Sequence, residues 1–168
     1  MRPTATVARK RKKRRSKSVD AFIVCVIGIS VFLLDQASKI FVLRELKLNE
    51  SMEVIKNIFY FTLVHNTGAA FGILKGQTFF FIILSILAVT TIAIYIRKSL
   101  NARLVVKIAL GLILGGALGN LVDRLRFGHV IDFLDFRIWP VFNIADSAIT
   151  VGASLLIIGL FKKTKTGL

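Results

Sequence analysis

"FNIADSAITVGASLLIIGLF", Phe142 to Phe161, is apolar almost throughout, yet it carries Asn143 and Asp146 near its start. The run is long enough to cross a bilayer, which takes about 20 apolar residues. A carboxylic acid at bilayer depth costs about 3 kcal/mol even on lenient insertion scales, so such residues are rare and usually functional. Reading this stretch as a membrane helix sets the class of the whole chain, because three other stretches share its character. They are "AFIVCVIGISVFLLDQASKIFV" (Ala21 to Val42), "TFFFIILSILAVTTIAIYI" (Thr78 to Ile96) and "LVVKIALGLILGGALGNLV" (Leu104 to Val122).

Composition agrees. The 168 residues are 55% hydrophobic, with a mean hydropathy of +0.71, high for a soluble domain. The predicted fold is an all-α membrane protein with four transmembrane helices and a small outward-facing β-rich loop region. It divides into a basic tail over 1–20, a four-span domain over 21–161 and a short tail over 162–168. A cleaved signal peptide is the alternative for the first span. Its apolar run is long, however, and "DQASK" is a poor small-residue cleavage site, so a retained anchor is favoured.

The formal net charge of +15 suggests nucleic acid until its location is read. Much of the excess lies in "RKRKKRRSK", Arg9 to Lys17, before any apolar run. Beside a membrane span, such a cluster marks the cytoplasmic side. The link after the second span adds Arg97, Lys98 and Arg103, and the C-terminal tail adds Lys162, Lys163 and Lys165. The two other loops, at about 43–77 and 123–139, mix signs. By the positive-inside rule both termini are cytoplasmic and the mixed loops face outward.

The first outer loop is too long for a simple turn. Its "SMEVIKNIFYFTLVHNTG" is rich in β-branched and aromatic residues, which predicts strands. "RFGHVIDFLDFRIWP" reads as a strand or an interfacial element, with Trp139 as an interface anchor. Cys25 is the only cysteine, so no intrachain disulfide can form, and it reads as a small apolar residue.

The polar residues of the spans fall at one depth. Asp35 and Lys39 are spaced i,i+4 late in the first span. Asn120, Asp123 and Arg124 close the third. Asp132 follows in the loop, and Asn143 and Asp146 open the fourth. Each has a plain reading: a local ion pair, a solvated helix end, or, for Asn66 in "NTG", an ordinary turn. "GLILGGALG" supplies small residues for close helix packing whatever the function. His65 and His129 are too few and too far apart in sequence to argue a metal site. The pair with chemical meaning is Asp132 with Asp146, from different segments, with Asn143 and Arg124 available to orient them. Two carboxyls sharing a site hold one proton between them, so one can activate a water while the other polarises a carbonyl.

"DQASK" (Asp35 to Lys39), "NTGAAFG" (Asn66 to Gly72), "GGALGNLVDR" (Gly115 to Arg124), "GHVIDF" (Gly128 to Phe133) and "FNIADSAI" (Phe142 to Ile149) together resemble the lipoprotein signal peptidase family, or signal peptidase II. The resemblance covers about Phe22 to Gly159. It implies an intramembrane aspartyl endopeptidase of the bacterial inner membrane, cutting prolipoproteins just before a diacylglyceryl-modified cysteine. On this resemblance Asp132 and Asp146 are catalytic. Asn66, Gly68, Asn120, Arg124 and Asn143 line the site, Asp35 and Lys39 form the polar pair of the first span, and Asp123 supports. The outer loop would cradle substrate and globomycin-type inhibitors near the outer membrane face, among membrane lipids. No cofactor and no nucleic acid are implied. The competing readings are a small ion- or proton-coupled membrane transporter component, or a scaffold whose acids only solvate helix ends.

Overall fold

The computed structural model describes residues 5–69, 73–98 and 103–164, and the side chains of 5–17, 98 and 160–164 are not described. Ala70 to Gly72 of the "NTGAAFG" motif, most of the link after the second span and residues 165–168 therefore lie outside the described residues. Seven elements follow in the order Ala5–Glu45 (α1), Ser51–Ile55 (β1), Phe59–Asn66 (β2), Thr78–Lys98 (α2), Leu104–Phe127 (α3), Val130–Asp135 (β3) and Ile144–Thr164 (α4).

Ser18–Glu45, Thr78–Arg97 and Leu104–Phe127 are long and apolar enough to cross a membrane. In α4 the apolar helical stretch is the shorter Ile144–Gly159. The expected fourth span began at Phe142. The structure gives Phe142 to the sheet instead: its carbonyl accepts the amides of Phe133 and Leu134 at 2.9 and 2.7 Å. Asn143 is then the cap, and helix begins at Ile144. At the other end of the chain, α1 reaches back into the expected tail. Arg and Lys are good helix formers, and no Gly or Pro falls between Ala5 and Ala21 to interrupt them.

Helix α3 is the centre, packed on α4, α1 and α2. Its glycines permit this. A Cβ on Gly116 would overlap the carbonyl oxygen of Ala145 on α4, and one on Gly119 would overlap Asp35 Oδ2 on α1. Small residues let helix backbones approach where lipid offers no hydrophobic drive to associate. Val24, Ile92 and Leu110 form an apolar cluster among the helices.

The three strands form one antiparallel sheet in the order β1-β2-β3. It rests on the end of α1 through Val42, Leu46, Leu63, Ile131 and Phe133. Helix α3 stops at Gly128, whose φ of +76° suits glycine and whose amide bonds the Arg124 carbonyl at 3.0 Å. The chain turns there directly into β3. The β2–β3 register sets Val64 opposite Asp132 and Asn66 opposite Val130. Asn66 and Asp132 are thus diagonal neighbours on one face of the sheet.

Candidate active site

Asp132 is 1% exposed, and each of its carboxyl oxygens accepts one amide N–H. Asn66 Nδ2 donates to Oδ2 at 2.8 Å, and Asn143 Nδ2 donates to Oδ1 at 2.7 Å. Asp146 sits in the first turn of α4, at the positive end of the helix dipole. Asn120 Nδ2 donates to its Oδ1 at 2.7 Å.

Asn143 joins the two acids. As N-cap of α4 its Oδ1 accepts the Asp146 backbone amide at 2.8 Å, the usual bond from a cap to the third helical residue. Its Nδ2 holds Asp132 and also approaches Asn120 Oδ1 at 3.2 Å. One side chain therefore starts the helix that carries Asp146 and fixes the carboxyl of Asp132. Burial raises the Asp132 pKa to about 7, and the neighbouring Asp146 carboxylate adds to the rise. The two amide bonds and Lys39 oppose this, and burial wins.

Behind the acids lies a second charged cluster. Lys39 Nζ meets Asp35 Oδ2 at 2.8 Å, Asp123 Oδ2 at 2.7 Å and Asn120 Oδ1 at 3.2 Å. These are three acceptors for the three protons of an ammonium group. Asp35 Oδ1 accepts the Ala145 amide at 2.9 Å, a second bond to the start of α4. Asp123 accepts the Ile131 amide at 3.2 Å, tying α3 to the strand of Asp132. Gln36 Nε2 spans the two acids, 3.2 Å from Asp35 and 3.0 Å from Asp123.

Arg124 is buried beside the acids. Its Nη2 lies 3.4 Å from the Gly68 carbonyl, its guanidinium 4.8 Å from the Phe81 ring centroid, and its buried Nε has no hydrogen-bond partner. Gly68 in turn donates its amide to Asn66 Oδ1 at 2.9 Å, an Asx turn that orients the Asn66 amide toward Asp132. A Cβ at Gly68 would come within 2.7 Å of the Ile73 carbonyl oxygen.

All ten candidate residues thus fall into one connected network. Asn66, Gly68, Asn120, Arg124 and Asp146 face a cavity of about 910 Å³ between α2, α3 and α4. Its remaining wall is mostly apolar, with Leu84, Ile113, Phe142 and Ile149 among its residues. Sequence reasoning assigned no role to Gln36, Phe81 or Ala145. "DQASK" contained Gln36, but nothing local marks Phe81 or the Ala145 amide. His65 and His129 stack with centroids 3.8 Å apart. Among the described residues no group of three or more His, Cys, Asp or Glu side chains could hold a metal.

The chain as a whole is similar to known proteins. Residues 27–162 match the family model for signal peptidase (SPase) II. The lipoprotein signal peptidase of Halothermothrix orenii is 48% identical over 145 residues, covering 86% of this chain and 99% of that protein. That of Moorella thermoacetica is 47% identical over 131 residues, covering 78% and 87%. Two solved structures, each described as a bacterial membrane enzyme determined by the in meso method, superpose with TM-scores of 0.80 and 0.75. They are 37% and 38% identical, covering 86% and 83% of this chain and 91% and 92% of theirs.

Proposed function

The chain belongs to the signal peptidase II family, and we propose that it removes signal peptides from prolipoproteins by aspartyl catalysis, with Asp132 and Asp146 as the reacting pair. The observation that carries this reading is their joint hold by Asn143, with Asp146 lining an apolar cavity and Asp132 buried beside it. Asp146, at the helix N-terminus, is the base. It takes a proton from water as the water oxygen attacks the scissile carbonyl. Asp132, protonated near neutral pH, gives its proton to the carbonyl oxygen. In the second half the proton held by Asp146 passes to the leaving amine, the amide C–N bond breaks, and the diol proton returns to Asp132. No covalent intermediate is required. Arg124 lines the same cavity and supplies positive charge beside the developing oxyanion.

The apolar wall suits a substrate whose diacylglyceryl-modified cysteine stays in the bilayer while its amide enters the polar end. Globomycin-type inhibitors and membrane lipids fit the same wall. The membrane arrangement belongs to the proposal: α1 to α4 cross the bilayer, both termini are cytoplasmic, and the sheet lies on the outer face of a bacterial cell membrane. The charge asymmetry of the loops supports it. A transporter component is the weaker reading, since the chain shows no internal repeat of the kind transporters carry.

The test is purified protein in detergent with a diacylglyceryl prolipoprotein. The wild type cleaves before the modified cysteine, and Asp146→Asn falls by ~10⁴-fold or more, the upper end for general acid–base assistance. Near-normal turnover by that variant refutes the assignment.

A further inference from the structure

A second, smaller pocket of about 160 Å³ opens between α1 and α3 at the end that carries the site, and it shares no lining residue with the large cavity. At ~30 Å³ per water, that is room for about five waters, or for one phosphate with its ester oxygens. Gln36, Lys39, Asp123 and Ile131 form its floor, Ile40, Leu43 and Phe127 its apolar wall, and Arg44 and Arg126 its rim.

The floor offers a ligand little. Lys39 spends its protons on Asp35, Asp123 and Asn120, and Gln36 Nε2 is engaged with Asp35 and Asp123. The rim differs. Arg44 and Arg126 come from the last turns of two helices and are exposed. Neither enters an ion pair among the described residues. Arg126 has only the Phe127 ring, 5.0 Å from its guanidinium. A basic residue at a helix C-terminus complements the dipole, but that does not require two of them to converge on one pocket with an apolar wall. Two uncompensated guanidinium groups above apolar side chains match one chemistry: a phosphate diester joined to acyl chains.

We propose that Arg44 and Arg126 form a binding site for the phosphate of an anionic glycerophospholipid, whose acyl chains run along Ile40, Leu43 and Phe127 between α1 and α3. The site holds a bilayer lipid rather than the lipid of the substrate, because it does not communicate with the cavity of the acids. The lipid would clamp the helix pair whose polar contacts position Asn120. None of this depends on the peptidase chemistry.

Binding is measured by native mass spectrometry of the full chain in detergent. The probes are dioctanoyl phosphatidylglycerol, dioctanoyl phosphatidylcholine and inorganic phosphate. Phosphatidylglycerol should bind at least several-fold more tightly than phosphatidylcholine, and millimolar phosphate should not displace it. Arg44→Gln and Arg126→Gln should each weaken it about tenfold, with cleavage in detergent unchanged because neither residue touches the cavity. Unchanged binding in both variants, or equal binding of the two lipids, overturns the proposal. Displacement by phosphate alone would show a free-anion site and overturns it too. A photoreactive phosphatidylglycerol on the wild type needs no variant to fold. It should label peptides containing residues 40–44 or 126–127, and labelling confined to other segments contradicts the site.

Discussion

Two groups of buried carboxylates lie within one network and are treated in opposite ways. Asp35 and Asp123, 0% and 1% exposed, share the ammonium of Lys39. Asp132, equally buried, has no cation in hydrogen-bond contact among the described residues and is held by two asparagine amides. A buried acid paired with a buried base is electrically settled and serves as a fastener. A buried acid held only by neutral donors keeps its appetite for a proton. The first group ties α1 to α3 and to the start of α4. The second is left reactive, and its geometry is supplied by the first.

Breaking the fastener should have the larger effect on stability. Lys39→Met leaves two buried carboxylates without their cation, and losing one partner of a buried pair costs about 3–5 kcal/mol. Thermal unfolding in detergent should fall steeply, with cleavage lost as Asn120 and Ala145 shift. A variant as stable as wild type would show that the acids are not held as described.

The next effect sharpens the contrast through pH. Cleavage needs one proton on the Asp132–Asp146 pair. With Asp132 raised to about 7 by burial and then by Asp146, kcat/KM should decline as pH rises through about 7. Such profiles report the pair rather than one residue. A rate that keeps rising to pH 9 would contradict the shared proton.

A smaller change tests the join between the groups. On Gly119 a methyl would overlap Asp35 Oδ2. Gly119→Ala should therefore cost about 1–3 kcal/mol, the usual range for overpacking. Since Asp35 caps α4, kcat should drop more than KM rises. Stability and kcat both at wild-type values would mean that the contact relaxes freely. Chelators should change nothing, since the proposed chemistry needs no metal. Loss of activity with a chelator, restored by zinc, would break that account.

Much of this was legible in the sequence. Apolar runs marked the helices, β-branched and aromatic residues marked β1 and β2, and the spacing of Asn120, Asp123 and Arg124 set them near one helix end. The missing parts are tertiary. Asp35 and Lys39 read as a local i,i+4 pair, and they are one. That Lys39 also holds Asp123, and that Asp35 caps a helix 110 residues away, has no local signature. The start of α4 was misplaced for a physical reason: hydropathy counts Phe142 as span, but its backbone completes the sheet. The basic run read as a tail, and helix continues back through it to Ala5, since charge does not stop a helix when the residues favour one.

The central claim is that Asp132 is kept reactive at a cost to the fold, and one variant tests it directly. Burial pushes the folded carboxyl up to about 7 from its ordinary 3.8. The folded state therefore binds the extra proton between about pH 4 and 7. Stability from this group is fully present below pH 4 and is lost as pH rises toward 7. Asp132→Asn removes that dependence; it also sets a side-chain NH2 against one of the two asparagine donors, a loss that is the same at every pH. Thermal unfolding of wild type and variant is measured in detergent from pH 4 to 9. Relative to the variant, the wild type should lose stability between about pH 4 and 7 and keep a constant difference above that, and the variant should be unable to cleave prolipoprotein. A difference between the two that does not change from pH 4 to 8, or a variant that still cleaves, would contradict the account.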